Sequence, residues 1–289
     1  MDRGPRLVPR VARLPRSAQP ARALHEPVRK VTATEKANPY WDFHEKLAVI
    51  RRQNLSQPAA RLEGGSVPVK FVISSADVTI EAGYQQPAFG LFRDEAGLFA
   101  RLVSRLSRYG LKLSDMKIER GNGSFGDLHL FCHLLDYLLT VRIRLDRSEI
   151  YCSLLTEENK KGVIAAAVET LDCLRESVDG QYRAYAISLN VHGLLENTSA
   201  KTFLSGLIAA PPTAAGPVTG NAVAYYFSPA QDRLASSLTF DVSAITPDGL
   251  YVRPQAVWDA SRFTPEQVAE RAEGFVRNML GSFGLEVPQ

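Results

Sequence analysis

The stretch LTVRIRL, residues 139–145, sets Leu139, Val141, Ile143 and Leu145 on one side of an extended chain and Thr140, Arg142 and Arg144 on the other. A period of two marks a strand with one buried and one wetted face. An antiparallel sheet accommodates such strands, whereas a parallel sheet is covered on both faces. The segments around this stretch fit the same scheme. VPVKFVISS, VTIEA, LSDMKIER, DLHLF and EIYCSLL read as strands before residue 156, and QYRAYAISLNVHGLL, NAVAYYFSP, SSLTFDVSA and LYVRPQAVW read as strands after Gly180.

Helices punctuate these strands. Asp94 caps a helix with the apolar stripe Leu98, Leu102, Leu106 and Tyr109, and Gly110 stops it. Asp146-Arg147-Ser148 reads as a turn, and Thr156 caps a helix carrying Ile164, Val168, Leu171 and Leu174. SAKTFLSGLIAA is a short helix followed by a loop, PPTAAGPVTG. Thr264 and Gln267, with Pro265 between them, form a capping box for a last helix lined by Val268, Ala272, Phe275 and Met279. Both halves read strand, helix, antiparallel strands, long helix. The expectation is an α+β fold of two similar units, residues 67–178 and 179–289, related by internal duplication, with the helices on one face of antiparallel sheet.

Residues 1–30 hold eight Lys and Arg against two acids, a net of +6 in a chain whose net charge is +3, so the remaining residues sum to −3. Pro5, Pro9, Pro15 and Pro20 deny this stretch a helix. Residues 1–35 read as a disordered basic arm. Residues 36–66 read as a short helix, opened by Asn38-Pro39 and carrying Tyr40, Phe43, Leu47 and Ile50, followed by a linker. A mildly acidic body argues against nucleic acid as its partner. Cys132, Cys152 and Cys173 sit among apolar neighbours without a C-x-x-C spacing, as expected of small core residues in a reducing compartment. No run approaches the roughly 18 apolar residues of a membrane span, and the N-terminus lacks the apolar core of a secretory signal, so the expected location is cytoplasmic.

GNGSFG, residues 121–126, matches G-x-G-x-x-G, and HLFCH beside it holds His129, Cys132 and His133. A dinucleotide loop needs a helix after its glycines, where amides and dipole meet the pyrophosphate. A strand follows here. The kinase glycine loop does lie between strands, but neither an H-R-D nor a D-F-G motif follows. Asn122-Gly123 instead suits a type I′ hairpin turn. His129 and His133 lie about 13 Å apart on a strand, too far to share one zinc. No cofactor and no metal is therefore expected.

His192 has a glycine beside it but no acid or serine partner in sequence. Asp127 and Asp136 border strand turns, and Trp41 and Trp258 read as packing anchors. Arg101, Arg105 and Arg108 form one stripe on a helix. No residue is assigned a catalytic role.

The C-terminal half resembles a sporadically distributed bacterial family of unknown function. The resemblance is carried by GQYRAYAISLNVHGLL with Phe203 after it, and by SSLTFDVSA leading to FTPEQVAERAEGFVRNMLGSFG. It covers about a third of the chain and brings no site residues. The reading is a non-enzymatic interaction or adaptor module with a protein partner and no membrane. One alternative is a binder of a small anionic ligand or nucleic acid through Arg101, Arg105, Arg108, Arg142 and Arg144. A second is a divergent enzyme whose site is assembled from distant segments.

Overall fold

In a computed structural model the chain is described over residues 68–120, 128–176, 182–208 and 222–288. All of these lie in one compact unit, Ala59–Gln289. The basic arm, the short helix and linker expected over 36–66, the GNGSFG turn and the PPTAAGPVTG loop fall outside the described residues.

The expected α+β architecture is present. The chain runs β1 (Val69–Tyr84), α1 (Phe89–Arg93), α2 (Glu95–Leu106), β2 (Lys117–Arg120), β3 (Leu128–Leu134), β4 (Leu139–Ile143), β5 (Arg147–Cys152) and α3 (Lys160–Arg175). It continues with β6 (Tyr182–Leu195), α4 (Ala200–Leu207), β7 (Val223–Phe227), β8 (Ala235–Val242), β9 (Leu250–Asp259), α5 (Pro265–Ser282) and β10 (Leu285–Glu286). The strands form one sheet, ordered β2-β3-β4-β5-β1-β6-β9-β8-β7, with β10 added beside β1. Pairing is antiparallel throughout except for β10, which runs parallel to β1.

The two expected units share a single sheet, because β1 and β6 pair along most of their lengths. Within each, the first strand pairs with the last: β1 with β5, and β6 with β9. The first run has four strands after its helices and the second has three.

One face of the sheet is apolar. Leu139, Val141 and Ile143 of β4 are buried on it, next to Leu130 and Cys132 of β3 and Ile150 and Cys152 of β5. The helices cover this face. Tyr182 donates its hydroxyl to the Leu171 carbonyl of α3, Phe203 of α4 meets Phe240, and Phe275 of α5 meets Trp258 edge-on. Phe240, fully buried on β8, is ringed by Phe203, Tyr225 and Phe283. The opposite face carries Lys117, His133, Thr140, Arg142, Glu149, Thr79, Ser188, Gln255 and Thr239, as the register requires.

Local signals hold at most helix ends. Asp94 accepts the Gly97 N–H, Gly110 is left-handed at φ 84°, and the Thr264–Gln267 capping box closes on both sides. Thr264→Ala removes one half of that box and is expected to cost about 1 kcal/mol in urea unfolding.

Four local expectations need correction. VPVKFVISS and VTIEA are one strand, interrupted by a bulge between Ile73 and Ser75 that turns the chain over without ending the pairing. Only the second half of LSDMKIER is strand, because Leu113–Asp115 forms a 3₁₀ turn. The turn before β5 closes at Arg144–Arg147, which leaves Ser148 inside the strand, buried and hydrogen-bonded to Tyr84. Thr156 begins a turn rather than the helix: it and Asn159 exchange backbone-to-side-chain bonds, and α3 starts after Asn159. The buried stripe of α3 includes Val163, Ala166, Ala167 and Thr170, with Leu171 and Leu174 as expected, while Ile164 and Val168 are half-buried.

Candidate functional site

The five arginines singled out from the sequence do not share a surface. On the helical side, Arg105 reaches Glu169 at 2.7 Å and Glu176 at 2.6 Å, and Arg108 reaches Glu169 at 2.8 Å. These contacts tie α2 to α3 and raise the Arg105 guanidinium above its ordinary value. Arg101 is exposed on the same helix. Arg142 and Arg144 lie on the other face of the sheet, 3.4 and 3.6 Å from Glu149. Arg147 meets the same carboxylate at 2.6 Å, and the Arg142 guanidinium lies over the Phe131 ring. A surface that pairs its cations with its own carboxylates offers little to a phosphate backbone.

The histidines are separated as well. His129 lies 3.2 Å from Glu119, and His133 lies 3.2 Å from Thr140. Cys132 faces the core, where burial pushes its thiol up to about 12. Among the described residues no group of three His, Cys, Asp or Glu side chains could hold a metal ion.

His192 does have a partner that its sequence neighbourhood does not reveal. Its Nδ1 is 2.8 Å from Ser243 Oγ, brought in from the far end of β8. That oxygen already accepts the N–H groups of Ile245 and Thr246, at 3.3 and 2.9 Å. Its lone pairs are thus committed and its proton points to the imidazole. Ser74 Oγ donates to the His192 carbonyl at 3.0 Å and meets Thr246 Oγ1 at 2.9 Å. The cluster fastens the 243–249 loop to the β1 bulge. A serine held this way is a turn lock rather than an activated nucleophile.

A different feature marks one end of the sheet, where β3 hands over to β4, β5 leads to α3, β6 to α4 and β8 to β9. Six non-glycine residues among those described have left-handed backbone: Leu135, Asp136, Tyr137, Leu154, Asn197 and Asp248. All six lie at this end. Such geometry is mild for Asn and Asp but costs roughly 1–2 kcal/mol for Leu or Tyr. The same end carries most of the exposed large apolar side chains. Val72, Ile73 and Leu194 lie on the β1–β6 ribbon, Tyr137, Tyr151 and Leu154 on the β3–β5 side, Val242 at the end of β8 and Ile245 beyond it. These are eight of the twelve exposed large apolar residues among those described.

Hydrogen bonds hold this conformation. The Leu135 N–H donates to the Tyr109 carbonyl at 2.7 Å, and Leu138 donates to Leu135 at 3.1 Å. Asp77 accepts the Leu154 N–H through one oxygen at 3.3 Å and the Tyr151 hydroxyl through the other at 3.1 Å. Burial and the Asp77 carboxylate push the Tyr151 phenol above its ordinary value, which keeps it protonated as that donor. Asn159 Nδ2 donates to the Leu154 carbonyl at 2.9 Å. The outcome is that Tyr137, 65% exposed, and Leu154, 63% exposed, are presented outward by fixed turns. The Tyr137 ring lies 4.8 Å from His133.

The sequence holds one signal for this end. LDYL, residues 135–138, joins two strands without glycine or an Asn-Gly pair, where such a turn ordinarily needs them.

No family model matches the chain, and no curated protein matches it.

Proposed function

We propose that the chain is a non-enzymatic interaction module that binds a protein partner through the loop end of its sheet. The observation that carries this reading is the coincidence of left-handed Leu and Tyr residues with exposed apolar side chains at one place. Backbone strain persists where surrounding structure enforces it, and it concentrates at functional sites. Exposed apolar groups gathered in one region mark interaction surfaces, and tyrosine is favoured there. The paired arginines and the serine committed to its own turn support binding over chemistry.

A single substitution separates this role from an accidental one. Leu154→Gly relieves a left-handed leucine at φ 59° that is mostly exposed. Strain relief of about 1–2 kcal/mol, less the added chain entropy of glycine at about 0.5–1 kcal/mol, should leave the protein about 0.5–1 kcal/mol more stable. The same change should weaken capture of the partner from lysate of the native cell, scored by bands that depend on the wild-type residue. A more stable variant with undiminished capture would sink the proposal, since the strained leucine would then serve nothing.

A further inference from the structure

We infer that the partner presents a basic segment, apolar side chains flanked by Lys or Arg, to this end of the sheet. The inference rests on the interaction reading above and adds the partner's chemistry to it. Carboxylates accompany Tyr137, Leu154 and Ile245 along the chain or in the fold. Asp136 precedes Tyr137 in the same turn, and Asp77 holds the backbone under Leu154. Glu158 lies in the turn that Asn159 ties to Leu154. Asp241 adjoins Val242, and Asp248 closes the loop that carries Ile245.

The cations at this end do not balance these acids. Lys70 is engaged by Glu196 at 3.5 Å, and Lys160 by Glu157 at 2.9 Å and Glu273 at 3.4 Å. Lys161 and Lys201, on the first turns of α3 and α4, and Lys112, exposed beyond the Tyr109 carbonyl that holds Leu135, are three lysines against five carboxylates. Among the described residues no base forms an ion pair with Asp136, Glu158, Asp241 or Asp248. An apolar patch with an acidic rim attracts a cationic partner and repels like charge. A second copy of this chain would bring the same acids face to face, and an anionic lipid surface would be repelled in the same way. A protein segment with interleaved leucines and lysines meets both halves of the surface: its apolar groups cover Tyr137, Leu154 and Ile245, and its cations meet the rim.

The test uses the full chain and three probes in fluorescence anisotropy and co-sedimentation. One is a short peptide of leucines flanked by lysines, the second has glutamates in place of the lysines, and the third is a phosphatidylserine vesicle. The lysine peptide should bind at least about tenfold more tightly than the glutamate peptide, a difference of about 1.4 kcal/mol. The preference should shrink as salt rises. The triple variant Asp136→Asn, Glu158→Gln, Asp241→Asn should lose most of it. Tyr137→Ser should weaken both peptides alike. Equal binding of the two peptides, a preference that survives the triple variant, or tighter binding to the vesicle would each overturn the basic-segment inference. If Tyr137→Ser still abolishes peptide binding while the charge variants have no effect, the interaction surface stands and only its charge complementarity is wrong.

Discussion

Phe240→Ala should lower the free energy of unfolding by about 3–5 kcal/mol, the range for truncating a fully buried phenylalanine. The ring has no exposed surface and touches Phe203 from α4, Tyr225 from β7 and Phe283 from the end of α5. These partners come from three elements, so no single shift can fill the hole. The loss should appear as a lower urea midpoint with an unchanged slope. A change below about 1 kcal/mol would mean that the aromatic cluster is not the joint between the second sheet segment and its helices.

Gly193→Ala should be nearly as damaging, by about 2–3 kcal/mol. A methyl group there would press on the Val72 carbonyl and come within 2.7 Å of the Phe71 ring. The constraint is space, because β1 and β6 approach closely where the bulge between Ile73 and Ser75 resets their register. One neighbour is backbone, so relief requires shifting the bulge. That shift would also loosen the Ser74 contacts to His192 and Thr246. Thermal unfolding gives the measure, and a melting temperature equal to that of the wild type would show that the bulge tolerates a wider spacing.

The fold was legible where one period dominates. The alternation from Leu139 to Leu145 identified the buried and open faces of β4, and the Thr264 box located the start of α5 within a residue. Legibility failed where a side chain answers to a distant strand. Ser148 looks like a turn residue, yet it faces the core because Tyr84 supplies its hydrogen bond from β1. In α3 the small residues Ala166 and Ala167, and Thr170 with its hydroxyl bonded to the Ala166 carbonyl, take part of the buried side that larger apolar residues were expected to fill.

The candidate site was less legible still. The arginines stand out in the sequence as two clusters, but the carboxylates that neutralise them come from other segments, Glu169 and Glu176 on one face and Glu149 on the other. His192 and Ser243 are 51 positions apart and meet only when β6, β9 and β8 align. The strained residues carry almost no signature, since nothing in Leu154 itself announces a left-handed backbone. That conformation is imposed by Asp77, on a strand far earlier in the chain.

Site-specific photo-crosslinking in the native cell can locate the surface that meets the partner. A photoreactive side chain is placed in turn at Tyr137, Leu154 and Ile245 on the loop end, at Ser261 beyond the opposite end of β9, and at Glu270 on the outer side of α5. One shared crosslinked species is expected from the first three positions and none from Ser261 or Glu270. Crosslinks confined to Ser261 or Glu270 would place the partner elsewhere and contradict the assignment of the strained end as the binding surface.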